Sequence, residues 1–531
     1  MVNHILRKYW KQNLYALLLT ATESGGIIIS TVFLAEIMNS LIEQNSESFF
    51  SSFVFSFLAW AGALFFGYLR LRYVEKIKQE QIVELKDTII EKVSKSTYSQ
   101  FHERNANEYI SWLTNDINLI EEQGFGHLYS GMSSATLLLF SSIAIFNFHW
   151  ILLIVSLFLS LLMVLIPRFF KKKLDDRNST LSSAFEKYVS RVDEWIKGFD
   201  SLYSYNRTKM IIEKLSKETL NVKQEKILLR KERTNLYTFI RLTSIIAQYS
   251  IILVTGLMTL GGVLSAGAIL AIGDLTGNFF GNTSFFIDQV TNFLSALTVS
   301  RKMDEFVSED LDQIESVSDY DFVKAINVKD VSFSYGAKEI KIPDMVFEKG
   351  KKYAIIGRSG SGKSTFLNIL MKNYPNYHGQ IKIDSVELKN IDFTMFRERF
   401  SYVPQKNYLF DMSLTENITL EKSYSKERVL QVIEDMSLNE KSITEKETLG
   451  VRGSNLSGGQ AQRVSLARGF IHAQDVLIID EGTSSLDPKT AYLIEENILT
   501  NRELTVIFVT HHLNDSLKKY FEDVYSFDTN E

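Results

Sequence analysis

Three stretches of the chain carry residues whose types and spacing suit work on a phosphate anion. In Gly357-Arg-Ser-Gly-Ser-Gly-Lys-Ser364, glycines let backbone N–H groups wrap phosphate oxygens, and Lys363 is long enough to reach the outer phosphates. Ser359, Gly360, Ser361, Gly362, Ser364 and the adjoining Thr365 line the same turn, with the Ser364 hydroxyl suited to a magnesium ion. The run follows an apolar strand pattern, Tyr353 to Ile356, and opens a helical one, so the anion would sit at a helix N-terminus. A second stretch, Val476-Leu-Ile-Ile-Asp480-Glu481, is a buried-strand pattern ending in two carboxylates. Asp480 suits a magnesium shell and Glu481 the polarising of an attacking water. Acidic pairs also end many central strands with no chemistry attached, and the glycine loop upstream is what favours the functional reading. The third stretch, Leu456-Ser-Gly-Gly-Gln460, places the Ser457 hydroxyl and the bare backbone of Gly458 and Gly459 at the start of another helix pattern, again facing an anion.

The elements that must position these residues follow from composition. The chain has 531 residues, too many for one hydrophobic core, so at least two domains are expected. From about residue 320 onward, short apolar strands alternate with amphipathic helices, the pattern of a mostly parallel α/β sheet. Before it lie apolar runs near 14–37, 50–70, 129–148, 150–167, 239–262 and 267–298. Each approaches the roughly 20 residues that a helix needs to cross a bilayer. The mean hydropathy of -0.02 averages a membrane half with a soluble one. The boundaries expected are 1–310 for the membrane domain, 311–325 for a linker and 326–531 for the nucleotide-binding domain.

Loop charge orients the crossings. Arg7, Lys8 and Lys11 precede the first run, Arg70, Arg72, Lys76 and Lys78 follow the second, Arg168 and Lys171 to Lys173 follow the fourth, and Arg301 and Lys302 follow the last. The loops 39–49, 147–149 and 261–266 carry no Lys or Arg. Six crossings then leave both termini on the cytoplasmic side. The basic N-terminus superficially resembles a secretory signal, yet no small-residue cleavage site follows, which favours an uncleaved first helix. Two charged segments, about 71–128 and 168–236, show helical apolar spacing. They are either plain solvated helices or inward extensions of the membrane helices that press on the soluble half.

The pentapeptide at 456–460 makes the chain recognisable: with the P-loop and acidic pair it resembles the ATP-binding cassette proteins, whose signature it is. The covering architecture is similar to that of exporter-type half-transporters. The resemblance implies a six-helix transmembrane domain followed by an α/β P-loop NTPase domain with a helical signature subdomain. It also implies ATP and Mg2+ as ligands, and an ATPase that works as a pair. In that family Tyr335 would stack on adenine, Gln405 would touch magnesium and the membrane domain, and Ser484-Ser-Leu-Asp487 would be the loop after the catalytic acid Glu481. His511 would be the switch histidine near the γ-phosphate. Singly, each has a duller reading: Tyr335 as a strand aromatic, Gln405 as a surface residue after Pro404, His511 as a polar group no different from His512. Ser457, Gly458, Gly459 and Gln460 would close on nucleotide held by the other chain's Lys363 loop. Asn107 to Ile120 resembles the segment before the first inward coupling helix, and Gly198 to Arg207 the second. Val451 stands where the family usually has an acid, and the stretch after His511 is short for it.

The expected activity is ATP-driven export of a peptide, hydrophobic drug or lipid by alternating access, in a multi-pass protein of a bacterial cell membrane with its ATPase domain cytoplasmic. Partners would be the lipid bilayer and a second half-transporter, a homodimer being favoured because the chain's own motifs are intact and a heterodimer with a degenerate sister chain being the alternative. A membrane-anchored ATPase that senses or gates without net transport would carry the same nucleotide motifs. A net charge of -5 offers nothing to nucleic acid, and the absence of cysteine excludes disulfides and thiolate chemistry. Glu23, Glu36, Asp274 and Asp288 fall inside apolar runs, where carboxylates face either a cargo cavity or a partner group.

Overall fold

The computed structural model describes residues 1–308, 321–335, 338–439, 448–511 and 513–528; the side chains of Tyr335 and Lys338, and all of His512, lie outside that description. The chain forms two compact units, one of residues 1–95 and 104–309, the other of 96–103 and 310–531.

The first unit is helical throughout. A short amphipathic helix, Val2–Lys8 (α1), leads into Trp10–Ile42 (α2) and Ser46–Lys95 (α3). Ala106–Phe148 (α5) and Trp150–Lys197 (α6) follow, then Phe199–Ser204 (α7), Lys209–Leu260 (α8) and Ala266–Ser308 (α9). Between α3 and α5 the five-residue helix Tyr98–His102 (α4) groups with the second unit, its Tyr98 ring 6.5 Å from that of Tyr374. Asn107 to Ile120 follows α4 in the chain. It winds into α5, where wide π turns at Trp112–Asp116 and Ile120–Gly126 rotate successive faces inward.

The helices are inside-out relative to a soluble protein. Phe57 and Phe65 of α3 and Phe158 of α6 are exposed, whereas Ser24, Ser56, Ser141 and Ser156 are buried between helices. This is the pattern of a bundle solvated by lipid, in which small and polar groups mediate helix contacts. Five of the long helices are long and apolar enough to cross a membrane. The sixth, α9, is poorer in apolar residues because protein covers it: Ile272, Leu275, Phe279 and Phe280 are buried against its neighbours. Of the intramembrane carboxylates, Glu23 accepts from Arg70 Nε and Nη2, and the pair lies against Gly67, where a Cβ would stand 2.7 Å from Glu23 Oε1 and push the carboxylate aside. Asp274 accepts from Thr31 at 2.8 Å and Asp288 from Tyr237 at 2.7 Å. Glu36 instead borders a cavity of about 440 Å3, walled by Ile28, Val32, Phe140 and Ala144. Beyond the apolar zone α6 and α8 run on as a charged hairpin, zipped by Lys173–Glu232 at 2.9 Å and Lys187–Glu218 at 3.3 Å.

The second unit contains two sheets. Lys352–Ile356 (β4), Phe400–Val403 (β7), Val476–Asp480 (β8), Thr505–Val509 (β9) and Asp523–Ser526 (β10) form the parallel sheet, in the order β10-β4-β9-β8-β7. Every residue of β8 and β9 is buried, as expected for strands covered on both faces. Beside it stands an antiparallel sheet built on Ala325–Tyr335 (β1), paired with Lys338–Lys341 (β2), Met345–Glu348 (β3) and His378–Ile383 (β5), the last leading to Val386–Glu387 (β6). Its strands alternate buried residues, such as Ile326, Val328 and Phe347, with more exposed ones, the period of a sheet covered on one face. Lys363–Leu370 (α10), Leu414–Thr419 (α12), Gly458–His472 (α14) and Pro488–Thr500 (α15) pack around the parallel sheet, with Phe393–Arg399 (α11) and Lys426–Asp435 (α13) between them.

Candidate active site

The site gathers at the carboxyl ends of β4, β8 and β9, the place where parallel sheets present ligands. Between β4 and α10 the loop 357–362 turns sharply. Gly362 sits at φ +106°, and a Cβ there would meet Ile340 Cγ2 at 2.7 Å, so glycine is required on both counts. Lys363, buried at the start of α10, folds its ammonium back onto the loop, donating to the carbonyls of Gly357 at 2.5 Å and Arg358 at 2.9 Å. Ser361 Oγ is buried without a hydrogen-bond partner among the described residues. A buried orphan hydroxyl inside a glycine cradle is what a phosphate oxygen would satisfy. Ser364 is exposed at the rim and Thr365 is buried beneath it.

Glu481 follows β8 directly. Its backbone is left-handed at φ +51°, a conformation held by its N–H on the Val509 carbonyl at 3.0 Å and by Gln462 Nε2 on its own carbonyl at 3.1 Å. That turn aims the carboxylate between two partners. Gln405 Nε2 donates to Oε2 at 2.8 Å, and His511 Nε2 lies 2.8 Å from Oε1. The other ring nitrogen of His511 faces the Gly357 carbonyl at 3.1 Å. Both ring nitrogens thus meet acceptors, and a neutral imidazole can donate to one of them at a time. His511 bridges the acid to the phosphate loop.

Asp480, the last residue of β8, is 5% exposed and accepts from Tyr402 Oη at 3.3 Å. Burial holds its carboxyl above the usual carboxylate range, with the Tyr402 hydroxyl opposing and the Glu481 charge adding to the rise. Ser364, Gln405 and Asp480 are hard oxygen donors in small number, the set that suits magnesium when phosphates complete the shell. Among the described residues no cluster of three or more His, Asp or Glu forms a self-sufficient metal cage.

The signature turn is built as a helix cap. Ser457 Oγ accepts from Gln460 N–H at 3.2 Å, while Gln460 Oε1 accepts from Ser457 N–H at 2.8 Å. Gly458 has open space where a Cβ would be, and Gly459 packs close to Leu486 and the Ser485 carbonyl. Gln462, one turn on, ties α14 to the catalytic loop, since its Oε1 accepts from Ser485 N–H at 2.9 Å while its amide holds Glu481. Asp487 caps α15 through Thr490 N–H at 3.0 Å. The fold thus brings Lys363, Asp480, Glu481, Gln405 and His511 into one neighbourhood and links the signature helix to it through Gln462. Tyr335 ends β1; its side chain lies outside the described residues. Gln462 and Tyr402 escaped sequence reasoning; Gln462 lies two residues past the signature, whereas Tyr402 has no local signal, since only strand pairing puts it beside Asp480.

A P-loop ATPase unit joined to a polytopic helical unit is the class that this fold and site define. Two family models match the chain, the ABC transporter transmembrane region over residues 14–282 and the ABC transporter model over 340–484. A probable ABC transporter ATP-binding/permease protein of Haemophilus influenzae is 25% identical over 471 residues, covering 83% of each chain. The lactococcin-G-processing and transport ATP-binding protein of Lactococcus lactis subsp. lactis is 27% identical over 66% of this chain, which spans 52% of that relative. The fold is shared with a bacterial Atm1-family ABC exporter solved with ATP bound, at a TM-score of 0.80 and 17% identity over 97% of this chain and 92% of that one. The chain belongs to the ABC transporter family. It binds ATP, its ATPase activity is coupled to transport, and it is a multi-pass membrane protein.

Proposed function

We propose that the chain is one half of a homodimeric exporter that moves a peptide, hydrophobic drug or lipid out across a bacterial cell membrane, with its ATPase domain in the cytoplasm. Residues 1–310 would form the membrane domain, 311–325 the linker and 326–531 the cassette. The observation that carries the reading is the Glu481 carboxylate, steered by Gln405 on one side and by His511 on the other beside the Lys363 loop.

In this reading the loop amides from Ser359 to Thr365 and the Lys363 ammonium bind the phosphates of ATP. Lys363 exchanges two carbonyls for phosphate oxygens. Ser364, Gln405 and Asp480 would hold Mg2+, which when bound neutralises charge on the phosphate oxygens. Glu481 orients water and takes its proton; His511 donates toward the γ-phosphate; Tyr335 stacks on the adenine. Ser457, Gly458, Gly459 and Gln460 close on the nucleotide of the opposite chain, with Asp487 at the rim of that contact. Closure of two cassettes then biases the membrane unit between its inward and outward states, so ATP acts on a conformational equilibrium.

Glu481→Gln tests this. The variant should bind MgATP with unchanged affinity and trap a closed dimer that keeps its ATP through gel filtration, while turnover falls by about 10²- to 10⁴-fold. Normal turnover would overturn the role of Glu481. ATP-dependent accumulation of cargo in inverted vesicles separates a pump from an ATPase that only senses or gates.

A further inference from the structure

The phosphate loop is held by more than its glycines. Its first peptide, joining Gly357 to Arg358, is occupied at both ends. The Gly357 carbonyl accepts from Lys363 Nζ at 2.5 Å and faces His511 Nδ1 at 3.1 Å. The N–H of the same peptide, on Arg358, donates to the carboxylate of Asp528 at 2.8 Å. Asp528 arrives there because β10 runs parallel to β4 with Ser526 opposite Ile356, and Phe527 N–H continues the ladder to the Ile356 carbonyl at 2.9 Å. Phe527 is 6% exposed and lies under the loop, its ring 5.9 Å from that of Phe366. A Cβ on Gly357 would stand 3.1 Å from Phe527 Cβ, so strand and loop are in direct contact.

We infer that Asp528 is a positioning residue for nucleotide binding, fixing the orientation of the Gly357–Arg358 peptide from outside the loop. This rests on the reading of the Lys363 loop as the ATP site. A peptide that follows glycine can flip at little steric cost, because glycine occupies both sides of the backbone map. A flip would turn the carbonyl away from Lys363 Nζ and point the N–H at that ammonium, a group that only donates. A carboxylate on the N–H opposes that flip with a charge-assisted bond, about twice as strong as a neutral one. The negative charge of Asp528 also repels phosphate, but the residue is exposed, and solvent and salt screen the repulsion. The hydrogen bond therefore dominates. Asp528 touches no reacting atom, so its effect falls on binding and leaves turnover alone.

The test uses the full-length chain in lipid nanodiscs, with MgATP affinity measured by calorimetry and KM and kcat measured separately. Asp528→Ala should raise Kd and KM about tenfold with kcat within about twofold of the parent. Asp528→Asn keeps a side-chain oxygen as a neutral acceptor and should fall between, with Kd and KM raised about threefold and kcat within about twofold. If Asp528→Ala does not fold, Asp528→Glu, which displaces the carboxylate, replaces it and should show the same rise in KM. Unchanged affinity in the alanine variant, or an asparagine variant as weak as alanine, would overturn the inference; tighter binding in both would do so too, since charge would then outweigh the bond. Lys363→Ala is the control for the site itself: if MgATP affinity survives that change, the ATP-site reading fails whatever Asp528 does.

Discussion

At the scale of single residues, the cost of the site is visible in its acids. Asp480 is buried, and burial raises its carboxyl above the usual range. A carboxyl whose folded pKa is raised binds its proton more tightly folded than unfolded, so its ionised form subtracts stability, which returns as pH falls through the folded value. Asp480→Asn should remove that penalty at neutral pH. The cassette is expected to melt about 2–4 °C higher while ATPase activity drops to background, the trade expected at a functional carboxylate. An unchanged or lowered melting temperature, followed by circular dichroism, would mean that the Tyr402 bond outweighs burial. Glu481 adds a second cost, a left-handed backbone at a residue other than glycine. Its identity was legible from the apolar run before it; its conformation was not, because the Val509 and Gln462 bonds that impose it come from distant segments.

At the scale of elements, positioning is done by buried polar staples. The segment from Gln405 to α12 has little regular structure, yet Asn417, fully buried, accepts from Phe410 N–H and donates to the carbonyls of Phe410, Met412 and Ser413. Arg468 of α14 closes the strap, reaching Asn417 O at 2.8 Å and Tyr408 O at 2.9 Å. The loop that carries Gln405 is in this way tied to the signature helix. Asn417→Ala strands several buried backbone groups and should destabilise the cassette by about 2–4 kcal/mol in urea unfolding. It should also lower ATPase activity, because Gln405 loses its fixed base. A loss below about 0.5 kcal/mol would show that water replaces the staple.

At the scale of the molecule, the Ser457 turn and the Lys363 loop each present a face to an anion, and the proposal pairs them across two chains. A chain carrying Lys363→Ala, co-expressed with one carrying Ser457→Ala, would form mixed dimers with one intact composite site and one doubly broken. Purified mixed dimers should recover roughly half of wild-type ATP binding, while either variant alone binds almost none. Equal loss in the mixture would place both residues in one chain's pocket and end the two-chain account.

The phosphate loop, the acidic pair, the signature cap and the six apolar runs were all legible along the chain, because each is a local pattern contained in one continuous stretch about the length of a membrane crossing or shorter. Tertiary structure alone decided the rest. Glu23 pairs with Arg70 across two helices, α9 tolerates its polar residues because neighbours cover it, and α4 groups with the second unit. Asp528 meets the phosphate loop from the end of β10, the edge strand paired with β4 although some 170 residues apart in the chain. Partners far apart in sequence are chosen by packing, and packing leaves no periodic trace in the chain.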